Sequence, residues 1–217
     1  MSPRCKDYVT DCDGTPDIII RAERYDPTKL PDLCYDDVAY LFSGADFYRQ
    51  LFRFNGMMFH ASAIELDGVA YLFSGPSGMG KSTHTGLWKQ LFPSAKIFND
   101  DKPALRYIDG VWYAYGTPWC GKDGININMK LPVGGICFLR QGEENKIRRL
   151  PEIEAAAAII TQTVRRFSTP EKLGVMTDLV DSLVREIPVF ELINKPEPEA
   201  AIMSHRAMTS ANCGVEK

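Results

Sequence analysis

The stretch Gly75-Pro76-Ser77-Gly78-Met79-Gly80-Lys81-Ser82 fits the pattern G-x-x-x-x-G-K-[ST] in full, and its flanks fit as well. An apolar run, Ala70–Phe73, precedes it and reads as a strand. Ser82–Phe92 follows and reads as a helix. A strand that feeds a helix through a glycine-rich loop restricts the chain to the α/β class. The glycines let the backbone wrap closely around a phosphate, and the following helix adds its partly positive N-terminus. The expected phosphate-binding set is Gly75, Pro76, Ser77, Gly78, Met79, Gly80, Lys81, Ser82 and Thr83. Lys81 supplies a mobile charge for the outer phosphates, and the Ser82 hydroxyl is a ligand for Mg²⁺.

Two Asp-Gly pairs carry the argument further. Asp67-Gly68 separates the apolar runs 57–66 and 69–74, and Asp109-Gly110 separates 105–108 and 111–115. Asp-Gly between apolar runs is a strong sign of a two-residue hairpin turn. In the first hairpin Leu66 then pairs with Val69, and counting outward brings His60 opposite Gly75, the first residue of the loop. In the second, the count brings Asn99-Asp100-Asp101-Lys102 beside the segment 116–124. Lys96–Asn99 reads as a short strand, so Asp100 and Asp101 stand at its carboxyl end. A metal-associated carboxylate is expected there beside a phosphate loop. Two adjacent carboxylates permit a division of labour: Asp100 holds Mg²⁺, and Asp101 or Asp100 takes a proton with a pKa raised by its neighbour.

The segment Gly116–Gly124 is rich in glycine and aromatic residues. Trp119 is a candidate pocket wall, Lys122 a candidate for a phosphate or carboxylate, and Cys120 a pocket thiol. The alternative for this segment is an ordinary loop with Trp119 at the edge of the core. His84 is read as a surface residue of the helix after the loop. Arg140, Arg148, Arg149, Arg165 and Arg166 are candidates for stabilising transferred charge, each also readable as a solvated surface residue.

The 217 residues read as a single domain: an N-terminal extension over 1–55, a core over 56–195 and a polar tail over 196–217 that is expected to fray. Ile18-Ile19-Ile20 reads as a short strand and Val38–Phe54 as a helix interrupted by a glycine. Val133–Arg140 and Ile187–Ile193 read as strands. Glu152–Phe167 reads as a helix with Ile153, Ala157, Ile160, Val164 and Phe167 on one face, and a second helix starts at Thr169-Pro170-Glu171. The net charge of −3 gives no bulk reason to bind nucleic acid. No apolar run reaches the roughly 20 residues that span a bilayer, and the N-terminus lacks a signal-peptide centre. A cytoplasmic protein without membrane contacts is therefore expected. Cys5, Cys12, Cys34, Cys120, Cys137 and Cys213 are spread too thinly for a disulfide scaffold or a zinc cluster.

With His60-Ala61-Ser62-Ala63, residues 74–85 and Asn99-Asp100-Asp101-Lys102-Pro103 in hand, the chain resembles the C-terminal catalytic domain of HPr kinase/phosphorylase and its relatives with a phosphoenolpyruvate-carboxykinase-like nucleotide fold. The resemblance is carried by residues 57–140. It implies a mixed β-sheet core with a P-loop, flanked by helices, and homo-oligomers as in that family. It implies ATP and Mg²⁺ at residues 75–83 and Asp100, and proton transfer by His60, Asp100 and Asp101 at a hydroxyl, with Lys81 neutralising charge. The family's large N-terminal domain and its later glycine-rich signature have no recognisable counterpart. The acceptor implied is therefore a serine- or threonine-type hydroxyl on a protein, peptide or small molecule other than HPr. Three alternatives stand beside it: a carboxykinase-like enzyme acting on a carboxylic acid, a non-catalytic nucleotide sensor, and a peptide-binding module.

Overall fold

The computed structural model describes residues 3–11, 13–21, 28, 32, 34–163 and 170–212. A helix, α1 (Tyr35–Leu51), leads through a short 3₁₀ turn into β1 (Gly56–Met58), β2 (Ala61–Leu66) and β3 (Val69–Ser74). The glycine-rich loop and α2 (Lys81–Leu91) follow, then β4 (Lys96–Asn99), β5 (Ala104–Ile108), β6 (Val111–Tyr115), β7 (Lys130–Gln141) and β8 (Lys146–Arg149). The chain closes with α3 (Glu152–Thr161), α4 (Pro170–Glu186), β9 (Val189–Asn194) and α5 (Pro198–Asn212).

Among the described residues the nine strands form one mixed sheet in the order β1-β5-β6-β7-β3-β2-β4, with β9 joining β7 to β8. Both Asp-Gly turns hold. Asp67 and Asp109 have φ of 52° and 50°, and Gly68 and Gly110 each 80°, the left-handed conformations that such turns require. The registers run Leu66↔Val69 to Ala61↔Ser74 and Ile108↔Val111 to Ala104↔Tyr115. β3 is parallel to β7, and β7 to β9, so these three strands end on the same side.

The central strands are buried on both faces, and this is why β3 reads as an unbroken apolar run. Ala70 and Leu72 face the cluster under α3 and α4, while Tyr71 and Phe73 face the cluster under α2 and α5. At roughly 25 cal/mol per Å², such two-sided burial does more than any other interaction to hold the layers together.

Several expectations change. The single run 57–66 is two strands: Met57 and Met58 pair with β5, and Ala61 onward with β3. The break falls at Phe59 and His60, whose N–H groups donate to Pro103 O and Gln162 O instead. Residues 18–20 form no strand, and Ile19 is exposed, with no neighbouring strand to complete. α3 ends at Thr161 and buries Ala155 and Ile159, whereas Ile153 is 86 % exposed. The helix is cut short because Gln162 and Thr163 turn to bond His60 and Phe59. Val164, Arg165, Arg166, Phe167 and the Thr169 cap lie outside the described residues, as do Cys12 and Cys213. Within the expected frayed tail, Pro198–Asn212 form α5, which packs against α2 and β7, and residues 213–217 lie outside the described residues. β8 had no counterpart in the sequence reading; it pairs antiparallel with β9.

Candidate functional site

The site forms where three strand ends meet. β2 lies between β3 and β4 and runs antiparallel to both. The start of β2 therefore sits beside the ends of β3 and β4. His60 precedes β2, the glycine-rich loop follows β3, and Asp100 and Asp101 follow β4. The backbone ties them: Ala61 N donates to Asp101 O at 3.1 Å, and Ser74 Oγ donates to His60 O at 2.8 Å. The ladder stops at Ala61↔Ser74, one step before His60 and Gly75, so the predicted neighbourhood holds although the last pair is not a ladder pair.

Gly75, Gly78 and Gly80 have φ of 143°, 85° and 86°, conformations that a side chain would strain. A Cβ at Gly75 would also come 3.1 Å from Leu139 O. Pro76, Ser77, Gly78, Ser82 and Thr83 are exposed, so the loop and the first turn of α2 face solvent. Thr85 anchors that turn by donating to Lys81 O and bonding Ser62 Oγ at 3.1 Å. Lys81 Nζ donates to Gly75 O at 2.9 Å and Pro76 O at 3.2 Å, folded back over the loop. Burial lowers the Lys81 pKa, and the Asp101 charge opposes that.

His60 Nε2 lies 3.1 Å from Asp101 Oδ1, and Lys102 Nζ lies 3.2 Å from Asp101 Oδ2. On its other side His60 Nδ1 meets Gln162 Oε1 at 3.0 Å. The Gln162 amide oxygen and the Asp101 carboxylate are both acceptors, so His60 is placed to donate from either ring nitrogen, Nδ1 toward Gln162 and Nε2 toward Asp101. Burial of Asp101 disfavours its charge, but the His60 hydrogen bond and the Lys102 charge outweigh this, and its pKa lies below the usual carboxylate range. Asp100 moves the other way. Burial raises its pKa, aided by the charges of Asp101 and Asp123, against the Gly121 N–H that donates to its Oδ1. The acidic pair is thus split as the sequence suggests, but the raised member is Asp100, not the carboxylate beside His60. His60, Asp101, Lys102 and Gln162 line a cavity of about 420 Å³.

The turn holding the two carboxylates depends on Asn99, which is fully buried. Its Oδ1 accepts from Asp101 N at 3.1 Å and Lys102 N at 2.7 Å, while its Nδ2 donates to Thr117 O and Trp119 O. Tyr48 completes the clamp by donating to Lys102 O at 2.7 Å. The sequence reading placed Asn99 in this segment without giving it a role, and it passed over Gln162 and Tyr48. Asn99 had a signal, an amide at a strand end before two carboxylates. Gln162 had none, being 102 residues from its partner.

The segment 116–124 does lie beside the acidic pair, through Gly121 N and the Asn99 side chain. Trp119 packs over Gly44 and stacks on Phe47 at 4.9 Å, and it lines an apolar cavity of about 510 Å³ against α1. The α1 glycine is therefore the seat of Trp119 and no interruption. Cys120 is buried, with Sγ accepting from Asn126 Nδ2, and Lys122 is exposed on the loop. Arg140 and Arg148 pair with Glu191, and Arg148 also with Glu154, on the β8–β9 surface; Arg149 is exposed there. His84 is not a surface residue: it is 1 % exposed, because α5 covers it.

Among the described residues no group of three or more His, Cys, Asp or Glu side chains is arranged to hold a metal by itself, and no helix is long and apolar enough to cross a membrane.

The family model described as "SynChlorMet cassette protein ScmC" matches residues 41–194. No curated protein matches the chain. Among solved structures, the Hpr(Ser) kinase/phosphatase from Coxiella burnetii is similar with a TM-score of 0.41 and 14 % identity, over 72 % of this chain and 94 % of that one. The family matched is thus that of ScmC, and the HPr kinase to which the motifs pointed stands as a distant likeness from which no residue role is transferred.

Proposed function

The chain belongs to the family of SynChlorMet cassette protein ScmC, and on the chemistry of its site we propose that it is an ATP-dependent phosphotransferase acting on a hydroxyl. The observation that carries this reading is the His60–Asp101 pair, 3.1 Å apart, facing a cavity of its own at the strand ends from which the glycine-rich loop springs. A phosphate cradle alone only binds. A proton-accepting carboxylate held by an imidazole beside it supports transfer.

In this reading residues 75–83 act as a P-loop and hold the phosphates, and Lys81 leaves its loop carbonyls to neutralise the transferring group. Mg²⁺, which needs few protein ligands beside phosphate and water, fits a hydroxyl and a carboxylate, here Ser82 and Asp100, and would screen phosphate charge. The acceptor enters the cavity lined by His60, Asp101, Lys102 and Gln162. Asp101 orients its hydroxyl and takes its proton, with His60 Nε2 holding the carboxylate in place. A lowered pKa makes Asp101 a weak base. Phosphoryl transfer is governed mainly by positioning and electrostatics, so orientation counts for more than basicity. The acceptor is a serine- or threonine-type hydroxyl on a peptide, protein or small molecule.

The test is incubation with γ-labelled ATP, Mg²⁺ and a panel of serine, threonine and peptide acceptors. Label is expected on a hydroxyl, and Lys81→Ala abolishes it. Asp101→Asn is expected to lower turnover by about 10²-fold or more while nucleotide affinity changes little. Unchanged turnover in Asp101→Asn, or nucleotide binding with no transfer to any acceptor, would overturn the reading.

A further inference from the structure

A second cavity, of about 350 Å³, lies on the other flank of the glycine-rich loop. Gly78, Gly80 and His84 form one wall, and Gln141, Asn194 and Lys195, at the ends of β7 and β9, form the other. It shares no lining residue with the His60–Asp101 cavity. It lies outside the carboxyl ends of the parallel strands β3, β7 and β9, where open α/β sheets bind ligands. Gln141 Nε2 donates to Gly78 O at 3.3 Å and ties the two walls together.

His84 is unusual in this wall. Ser204 Oγ donates to Ala201 O at 3.0 Å and accepts from Trp88 Nε1 at 2.9 Å. With its single proton spent, Ser204 Oγ accepts again from His84 Nε2, 2.9 Å away. His84 is thereby locked with its proton on Nε2, and Nδ1 is a bare acceptor. That atom is buried and has no partner among the described residues. Burial also lowers the His84 pKa to about 4, which keeps the ring neutral. A buried acceptor without a donor costs about 1–3 kcal/mol. The phosphotransfer proposed above makes no use of it.

We propose that this cavity is the base subsite of the nucleotide, with His84 Nδ1 accepting from an N–H donor of the base, the amino group of adenine being the expected one. The proposal rests on the nucleotide reading of the loop. The shared residues Gly78 and Gly80 connect the two: a chain of phosphates on the loop runs out toward this cavity on one side and toward His60 and Asp101 on the other. The cavity volume falls in the range of small-molecule sites.

Equilibrium binding of the full chain to the Mg²⁺ complexes of ATP, purine riboside triphosphate and tripolyphosphate tests it. ATP is expected to bind at least tenfold tighter than tripolyphosphate. Removing only the amino group, in purine riboside triphosphate, is expected to cost about tenfold, one hydrogen bond's worth. Asn194→Trp, which fills the mouth of the cavity, and His84→Phe are expected to erase the advantage of ATP and leave tripolyphosphate binding as it was. Should His84→Phe fail to fold, Asn194→Trp decides. Equal binding of ATP and tripolyphosphate by the native chain, or an ATP advantage that survives Asn194→Trp, overturns the base subsite and leaves the phosphate loop standing. No binding of either ligand removes the nucleotide reading and this inference together.

Discussion

His60 and Gln162, 102 residues apart, meet at 3.0 Å through Nδ1 and Oε1, and this contact decides which nitrogen of His60 faces Asp101. Gln162 Nε2 donates to Thr161 Oγ1, which fixes the amide orientation. Gln162→Leu removes the acceptor and frees the ring to flip. The expected outcome is turnover about tenfold lower with unchanged nucleotide affinity, and loss of the His60 Nδ1–H signal in ¹⁵N spectra. Glutamate at position 162 keeps an acceptor and should retain the Nδ1–H signal. A native Nδ1–H signal in Gln162→Leu would show that Gln162 has no part in holding the ring.

Asn99 is expected to be the most sensitive polar position near the site. Its fully buried amide satisfies two backbone N–H groups and two backbone carbonyls. Asn99→Ala leaves those groups to compete for water they cannot easily reach. A loss of about 3 kcal/mol is expected, with a drop in Tm on the order of 10 °C, read by thermal unfolding. A loss below about 1 kcal/mol would mean that the turn holds without it.

Replacing a mid-helix glycine by alanine ordinarily stabilises a helix by up to about 1 kcal/mol. Gly44 should reverse that sign. A Cβ there would lie 2.6 Å from Trp119 Cδ1, and Trp119 is held by its Nε1–H to Tyr40 O and by the Phe47 ring. Gly44→Ala is expected to cost about 1–3 kcal/mol in denaturant unfolding, the usual range for overpacking. A more stable variant would contradict the packing of Trp119 on α1.

The pKa of His84 falls from an ordinary 6.5 to about 4 through burial. The unfolded chain therefore binds a proton between those values that the folded chain refuses. Stability from this group is fully present above pH 6.5 and is lost as pH falls toward 4, by up to about 1.4 kcal/mol per pH unit. His84→Gln should flatten that part of the stability curve. An unchanged slope between pH 6.5 and 4 would mean that His84 is protonated in the fold.

Much of this molecule is local in origin. The two Asp-Gly turns, with aspartates at positive φ, set their hairpin registers through short-range sterics, and those registers are visible in the order of residues. The glycine pattern 75–80, between an apolar strand and a helix, is local as well. So is the distance in sequence from each turn that brings His60 and the acidic pair toward the loop and toward 116–124.

The tertiary structure decided what depends on partners far away in the chain. Antiparallel pairing of β2 with β4 joins His60 to Asp101, and neither strand carries a sign of the other. Gln162 turns out of α3 to bond His60, cutting short a helix whose periodicity runs on. α5, polar enough to read as a loose tail, covers α2 and buries His84. Local conformation is selected within a few residues by sterics and short hydrogen bonds. Which surfaces cover each other is settled by the total apolar area buried and by the polar groups left to satisfy, sums that only the folded chain performs.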